Sequence, residues 1–255
     1  MNLKKQNTNS KVFPPSSYEN LVRFERNNWW FRSRNNLLLW AMAKKVEKLD
    51  CFLEIGCGSG FVLERIHQSY PEAKLYGIEL FEEGLAYACS RVPSAYFSNI
   101  NALFINDSDY YNVIGAFDVL EHIQDDQRVL YNLQRALHEG GWLVITVPQH
   151  QWLWSIVDEY SGHVRRYRRK ELVKKIEDAG MTVFYTTSFV SLLLPLMWIS
   201  RFKKKANKFD PMDEFKIPKW LNKSLEAIMT VELFFLKIGV KLPIGGSLLL
   251  LAKKC

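Results

Sequence analysis

A glycine-rich stretch holds the residues whose types and spacing most directly suggest chemistry. Residues 53–60 read LEIGCGSG, with three alternating glycines and Glu54 placed two residues before the first of them. Glycine lets a backbone approach a ligand closely because it has no Cβ. A nicotinamide-dinucleotide loop reads GxGxxG and holds a pyrophosphate at a helix N-terminus, whereas the carboxylate of Glu54 would repel that group. The GxGxG spacing and the acid together favour a cationic ligand that carries an amino-acid group.

Acidic and imidazole side chains follow two later strand-like segments. Glu79 lies near the end of KLYGIEL, 19 residues after Gly60. His122 follows Glu121 in AFDVLEHI and is a candidate general base, because an unperturbed histidine pKa of about 6.5 suits proton removal at neutral pH. The alternative for His122 is a structural role in which it shapes the start of a helix and packs on the ligand.

The segment VPQHQWLWSIVDEYSGHVRRY contributes further candidates. His150 and His163 are expected to border the substrate as a base or as hydrogen-bond donors, with a structural role as the alternative. His150, Asp158 and His163 are also residue types that bind divalent metals. Their spacings are irregular and all three fall in one loop, so we predict no metal site.

These residues need a scaffold, and the chain predicts one by alternating strand-like and helix-like segments. The strand-like segments are CFLEI, KLYGIEL, AYFSNI, YYNVIGAFDVL, WLVITVP, MTVFYTTSF and SLLLLAKK. Helix-like segments separate most of them. One follows Asp125 and Asp126, either of which could cap it, and ends near Gly140 and Gly141, and another ends at Gly180. The alternation predicts an α/β fold with a mostly parallel sheet and helices on both faces. Ligands of such sheets bind outside the carboxyl ends of the strands, where the glycine loop falls.

Helical segments are expected at two further places. Residues 20–48 predict a helical lead-in after a flexible polar arm. Between the sixth and seventh strands we predict an apolar helix at 188–202, a basic linker (RFKKKANK) and a long helix at about 218–239. The expected units are an N-terminal arm and lid helix (1–48), a ligand-binding core (49–189 and 246–255) and a helical insertion (190–245).

The stretch ExGCGSG resembles motif I of the class I S-adenosylmethionine (SAM) methyltransferases. AFDVLEHI resembles the family's signature after the fourth strand, and GGWLVITVP resembles its fifth-strand motif. Asn101 and Ala102 stand where the family often has Asp-Ala near the adenine amine, so an acceptor is kept and a charge is lost. The resemblance covers roughly residues 28–190 plus the last strand. It implies a Rossmann-like seven-stranded sheet with the last strand antiparallel, SAM as cofactor and S-adenosylhomocysteine (SAH) as product.

The resemblance also implies a set of cofactor contacts. Glu79 is expected to accept hydrogen bonds from both ribose hydroxyls, and Arg34 to reach the cofactor carboxylate. Trp30 and its aromatic neighbours are expected either to cover the sulfonium, which aromatic faces attract, or to pack their helix on the core. The full set of expected contacts is Trp30, Arg34, Glu54, Gly56, Cys57, Gly58, Gly60, Glu79, Leu80, Asn101, Ala102, Phe117, Asp118, Val119 and His122.

Two longer stretches narrow the resemblance. NNWWFRSR (27–34) and VPQHQWLWSIVDEYSGHVRRY (147–167) resemble a bacterial group of methyltransferases known as types 11 and 12. Their wider relatives act on quinones, sugars and other small metabolites, so the resemblance leaves the substrate open.

Charge and composition bear on partners and location. The 255-residue chain has a formal net charge of +7, and HVRRYRRKELVKK is a basic run that suits a solvated face, an anionic substrate, a lipid surface or RNA phosphates. Four cysteines without a CxxC pair and a polar N-terminus unlike a signal peptide predict a reduced, cytoplasmic chain. No apolar run reaches the ~20 residues that span a bilayer, so membrane contact would be peripheral, at the inner face.

These observations lead to one preferred function and two alternatives. We expect a SAM-dependent enzyme that methylates an oxygen or nitrogen of a small acceptor, lipophilic or glycan-like. The apolar insertion suits such an acceptor or a homodimer interface better than a nucleic acid. The alternatives are an RNA methyltransferase and a non-catalytic protein that keeps the SAM-binding fold.

Overall fold

The computed structural model describes residues 17–203 and 217–255. The predicted N-terminal arm and most of the predicted basic linker lie outside these ranges. Seven strands form one sheet, and they are β1 (Cys51–Ile55), β2 (Lys74–Ile78), β3 (Tyr96–Ser98), β4 (Tyr111–Phe117), β5 (Leu137–Pro148), β6 (Met181–Phe189) and β7 (Ser247–Lys254).

The strand order is β3-β2-β1-β4-β5-β7-β6. Neighbours from β3 to β5 run parallel, and β7 runs antiparallel to both β5 and β6. The predicted Rossmann-like sheet with an antiparallel last strand is therefore confirmed. Strand order reverses between β1 and β4, and the carboxyl ends of these two strands form the crevice where open α/β sheets bind ligands.

The helices of the described residues surround this sheet. They are α1 (Ser17–Glu25), α2 (Trp29–Lys45), α3 (Phe61–Ser69), α4 (Glu82–Arg91), α5 (Asp126–Ala136), α6 (Ile156–Tyr160), α7 (Arg169–Asp178), α8 (Leu194–Lys203) and α9 (Lys219–Lys237). The helical insertion predicted between the sixth and seventh strands is confirmed by α8 and α9.

Three predicted helix boundaries were wrong. The lead-in is two helices rather than one, because the side chain of Asn28 accepts from the Trp30 amide at 2.9 Å and starts α2 afresh. Helix α5 ends at Ala136 rather than near Gly140, since Leu137 already pairs with β4. Helix α8 begins at Leu194 rather than 188, because β6 continues to Phe189 in register with β7.

Alternation along the buried strands divides the core into two layers. One layer packs α2, α3 and α9 on the sheet through residues such as Leu38, Leu63 and Leu236. The other packs α5 and α7 on the opposite face through residues such as Leu133 and Ile176. Helix α9 thus shares a core with α2, which ties the insertion to the N-terminal helices.

Within the described ranges, no helix combines the length and hydropathy needed to cross a bilayer.

Candidate functional site

The glycine loop joins β1 to α3 at the carboxyl edge of the sheet. All three of its glycines have positive φ, and a Cβ on Gly56 would lie 2.7 Å from a Val119 methyl carbon, so a side chain is excluded there. A Cβ on Gly58 would meet nothing within 4 Å. The backbone of Gly58 is therefore open to a ligand, beside the N-terminus of α3 that Gly60 caps.

Glu79 lies directly opposite this loop. Its buried carboxylate accepts hydrogen bonds from the amides of Gly58 at 2.9 Å, Leu80 at 2.7 Å and Phe81 at 3.1 Å. Burial raises the pKa of Glu79, and the three amides oppose that shift. Each carboxylate oxygen has two lone pairs, so Glu79 keeps one further acceptor position, on Oε2, for a hydroxyl group of a ligand.

A second buried carboxylate, Glu54, lies beside the loop together with a guanidinium from α2. Burial raises the pKa of Glu54 to about 8, and the nearby charge of Arg34 partly opposes this. Among the described residues, Glu54 Oε2 has no hydrogen-bond partner. Arg34 Nη1 donates to Asp118 Oδ2 at 2.6 Å, at the end of β4. A carboxylate and a guanidinium thus lie close together. Glu54 would complement the ammonium group of an amino acid, and Arg34 would complement its carboxylate.

Helix α1 fastens the loop, which sequence reasoning missed. Buried Glu25 accepts from the Ser59 hydroxyl at 2.7 Å and pairs with Arg91 of α4. Arg91 Nη1 also donates to Ser59 at 3.0 Å. The buried ring of Tyr18 lies where it would meet a Cβ on Gly84 at 2.9 Å. No local sequence signal pairs Glu25 with a residue 66 positions later.

The remaining predicted cofactor contacts fall into exposed and packed groups. Leu80 is 51% exposed at the carboxyl edge and offers an apolar surface to a ligand. Asn101 uses its side-chain oxygen to accept from the Leu103 amide at 2.9 Å, so its amide group and the second lone pair of that oxygen are left for a ligand. Cys57, Ala102 and Phe117 are buried, with Cys57 packed against Gly77.

Trp30 packs rather than standing free over the loop. Its ring stacks on Phe189 with centroids 5.7 Å apart and meets Trp29 edge-on at 6.0 Å. This contact matches the packing alternative for the aromatic helix. A cofactor contact for Trp30 stays a prediction.

The predicted histidines separate into a pair and an outlier. Ligand atoms of Glu121, His122 and His163 all lie within 4.8 Å of one another, and the two imidazole rings meet edge-on at 4.7 Å. His163 Nδ1 is 2.9 Å from Asp158 Oδ1. His150 lies outside this cluster of described residues. Its ring stacks on the ring of Trp152, with centroids 5.4 Å apart.

Electrostatics differ among these groups. Burial and nearby Asp118 raise the pKa of Glu121 well above its usual value. The pKa of His122 is lowered by desolvation and by neighbouring His163. The residue as a whole is exposed, so solvent moderates that shift. Burial and nearby arginines also lower the pKa of His150. His122 and His150 are therefore neutral at pH 7, with lone pairs available.

A family model described as a methyltransferase domain matches residues 25–186. The chain belongs to this methyltransferase family. The predicted class I SAM-dependent methyltransferase membership is thereby confirmed, and SAM is the cofactor of the family.

Individual relatives of this methyltransferase are distant. It is 22% identical over 198 residues to the biotin biosynthesis bifunctional protein BioHC of Teredinibacter turnerae, covering 70% of this chain and 34% of that protein. It is 27% identical over 157 residues to a probable S-adenosylmethionine-dependent methyltransferase of Mycobacterium tuberculosis, covering 60% and 56%. The chain thus spans about a third to about half the length of these curated relatives.

A solved structure of Haemonchus contortus phosphoethanolamine N-methyltransferase 2 with S-adenosyl-L-methionine superposes with a TM-score of 0.65. The identity is 15%, and the match covers 94% of this chain and 57% of that chain. At this identity the likeness establishes the fold alone.

Proposed function

We propose that this protein transfers the methyl group of SAM to an oxygen or nitrogen of a small acceptor. The observation that carries the proposal is the half-buried guanidinium of Arg34 near the buried carboxylate of Glu54, on the strand that leads into the glycine loop. These sites complement the ammonium and carboxylate of the cofactor's amino-acid end, while Glu79 faces the loop where ribose hydroxyls would lie.

The reaction makes few demands on protein side chains. The acceptor's lone pair forms a bond to the methyl carbon, the carbon–sulfur bond breaks, and its electron pair stays on sulfur to give SAH. The proton of an acceptor hydroxyl, or of the ammonium that forms when a neutral amine attacks, leaves to a base or to water. The activated methyl comes from the cofactor, so the protein's part is to hold both reactants in line and to exclude water.

We propose that the N-terminal helices and the insertion together cover this site, because they contact each other directly. Asn222 of α9 accepts from the Trp29 amide at 2.8 Å and donates to the Asn27 carbonyl at 2.9 Å. Arg32 of α2 pairs with Glu226 of α9. These contacts join α2 to α9, which lie far apart in the sequence. They support a role for both segments in enclosing and selecting the acceptor.

Titration calorimetry with SAH, SAM and NAD⁺ tests the cofactor assignment on the purified full chain. We expect SAM and SAH to bind and NAD⁺ not to bind. A chain that binds neither SAM nor SAH contradicts the proposed function. Transfer of labelled methyl to lipid or metabolite extracts supports a small acceptor, whereas transfer to RNA alone supports the RNA alternative and overturns this one.

The outer face of α9 supports a lipophilic acceptor at a membrane surface. Trp220, Val231 and Phe234 are 69%, 50% and 57% exposed and share one side of the helix at 3.6 residues per turn. Ile238, which caps the end of the helix, is 61% exposed and continues this side. The opposite side packs on the core, for example through Leu236. An exposed apolar stripe of this length is typical of a surface that contacts another apolar phase.

Lysines line one flank of this stripe and indicate an anionic lipid surface. By the same periodicity, Lys219, Lys223 and Lys237 lie along one edge of the α9 stripe. None of them forms an ion pair with an acid of the described ranges. Antiparallel pairing of two copies through α9 would place lysine flank beside lysine flank, and like charges oppose that contact. Anionic headgroups instead complement it.

Vesicle co-sedimentation tests the surface. We expect binding to phosphatidylglycerol vesicles, weaker binding to phosphatidylcholine vesicles, and loss of binding in the double variant Phe234→Ser, Ile238→Ser. Tyr131→Ser removes an exposed aromatic from α5, on the other face of the sheet, and serves as the matched control. Light scattering that shows a dimer dissociated by the double variant, without vesicle binding, supports a second copy as occupant and overturns the membrane assignment.

A further inference from the structure

Glu121 is a buried acid without a hydrogen-bond partner among the described residues. Glu121 is 0% exposed to solvent. Neither of its carboxylate oxygens has a hydrogen-bond partner in the described ranges. A charged carboxylate pays a large desolvation penalty in such a position, and a protonated one still leaves its hydroxyl donor unpaired. Unsatisfied buried groups of this kind are rare and require an explanation, such as an ion that occupies the site.

Two imidazoles face this carboxylate. His163 Nε2 lies 4.0 Å from Glu121 Oε1, and His122 brings a third ligand atom into the same 4.8 Å cluster. The backbone holds the two segments together, because the Val164 amide donates to the Glu121 carbonyl at 2.8 Å. Ligands at about 2.1 Å from a tetrahedral ion lie about 3.4 Å apart, so side-chain shifts of about 1 Å complete the geometry.

His163 is oriented as a ligand histidine. Its Nδ1 lies 2.9 Å from Asp158 Oδ1, which favours the tautomer with the proton on Nδ1 and the lone pair on Nε2, toward Glu121. Asp158 is itself held by Arg166 through Nε at 2.7 Å and Nη2 at 3.0 Å. A carboxylate behind the ligand imidazole is the usual support for a metal-bound histidine.

We propose that Glu121, His122 and His163 bind one divalent first-row transition ion of the Zn²⁺ class. Two imidazoles and one carboxylate are the donor set of catalytic zinc sites and are softer than the all-oxygen sets that Mg²⁺ prefers. Three protein ligands leave a coordination position open. Chain spacing gave no sign of this site, because Glu121 and His122 precede His163 by about 40 residues.

The ion deepens the proposed function, on which this further step rests. An acceptor hydroxyl bound at the open position would lose its proton to water more readily, because a bound cation lowers the pKa of its oxygen ligand. The resulting alkoxide would attack the methyl carbon as the carbon–sulfur bond breaks toward sulfur. His122 and His163 then act as ligands, and no side-chain base is required.

Zinc binding is measured on the untagged full chain, which is first stripped of metal with a chelator, then incubated with Zn²⁺ and dialysed to remove unbound ions. We expect one Zn²⁺ per chain by elemental analysis, and competition with a chromophoric chelator gives its affinity. Glu121→Gln and His163→Gln should each weaken binding by at least about 100-fold, and Asp158→Asn by about 10- to 100-fold. His150→Gln changes a histidine of the same loop outside the cluster and should bind Zn²⁺ as the unaltered chain does.

Each variant is checked by circular dichroism and by SAH titration, and Co²⁺ substitution gives an independent spectrum of the unaltered chain. Absence of Zn²⁺ binding by the unaltered chain overturns the proposal, as does equal loss in His150→Gln and His163→Gln. SAH binding is scored separately, so loss of the cofactor assignment and loss of the metal site give different results.

Discussion

The affinity for SAH should rise with pH because Glu54 must ionise before it can hold the cofactor's ammonium group. Burial raises the pKa of Glu54 to about 8 in the cofactor-free chain. Apparent affinity scales with the fraction of protein in the competent state. That fraction is about 1% at pH 6 and about one half at pH 8, so the affinity should increase about 50-fold, or about 2.3 kcal/mol.

Calorimetric titration of SAH at pH 6, 7 and 8 and constant ionic strength measures this ratio. Glu54→Gln keeps the shape of the side chain and removes its ionisation, so its pH 8 to pH 6 affinity ratio should shrink by about the same 50-fold. Glu72→Gln alters an exposed acid before β2, at the amino edge of the sheet, and is the matched control that should keep the full ratio.

Thermal unfolding of the cofactor-free chain gives a second readout. The pKa of Glu54 is higher in the folded chain than in the unfolded chain, so the unfolded chain releases this proton first as pH rises. The free energy of unfolding therefore falls between pH of about 4.5 and about 8. The melting temperature of Glu54→Gln should therefore fall less between pH 6 and pH 8 than that of the unaltered chain. Equal affinity ratios in the unaltered chain and Glu54→Gln would refute a contact between Glu54 and the ammonium group.

Three other substitutions follow from the same contacts. Glu79→Ala should weaken SAH binding by about 10- to 100-fold, and unchanged affinity in titration would contradict its placement at the ribose. Gly56→Ala should lower the melting temperature and SAH affinity, because its Cβ would lie 2.7 Å from Val119 at a positive φ; an unaltered melting curve would contradict this. Arg166→Ala leaves the buried carboxylate of Asp158 without its main partner and should destabilise the fold by about 3–5 kcal/mol in denaturant unfolding.

Local patterns predicted the sheet and the cofactor side of the site. The segment MTVFYTTSF coincides with β6, and Asp125 caps α5 through the Arg128 amide, because periodicity and capping act over a few residues. Glu79 meets Gly58 across β1 and β2 because parallel neighbours align their carboxyl ends. The start of α8 was missed because it depends on partners elsewhere, such as Glu232, which accepts from the Ser191 amide. The start of α2 was missed although its cap, Asn28, is local.

By itself, the sequence predicted the strands of the sheet and the glycine loop at its carboxyl edge, since both depend on short-range patterns, and the resemblance of its motifs supplied the methyltransferase family. Only the tertiary structure placed Arg34 beside Glu54 and buried Glu121 without a hydrogen-bond partner among the described residues. It also brought His163 to within 4.0 Å of Glu121. It also separated His150 from His163, although the two histidines lie only 13 residues apart in the sequence. The physical reason is that burial and charge proximity arise from chain segments far apart in sequence, and these two quantities decide which side chains can bind or react.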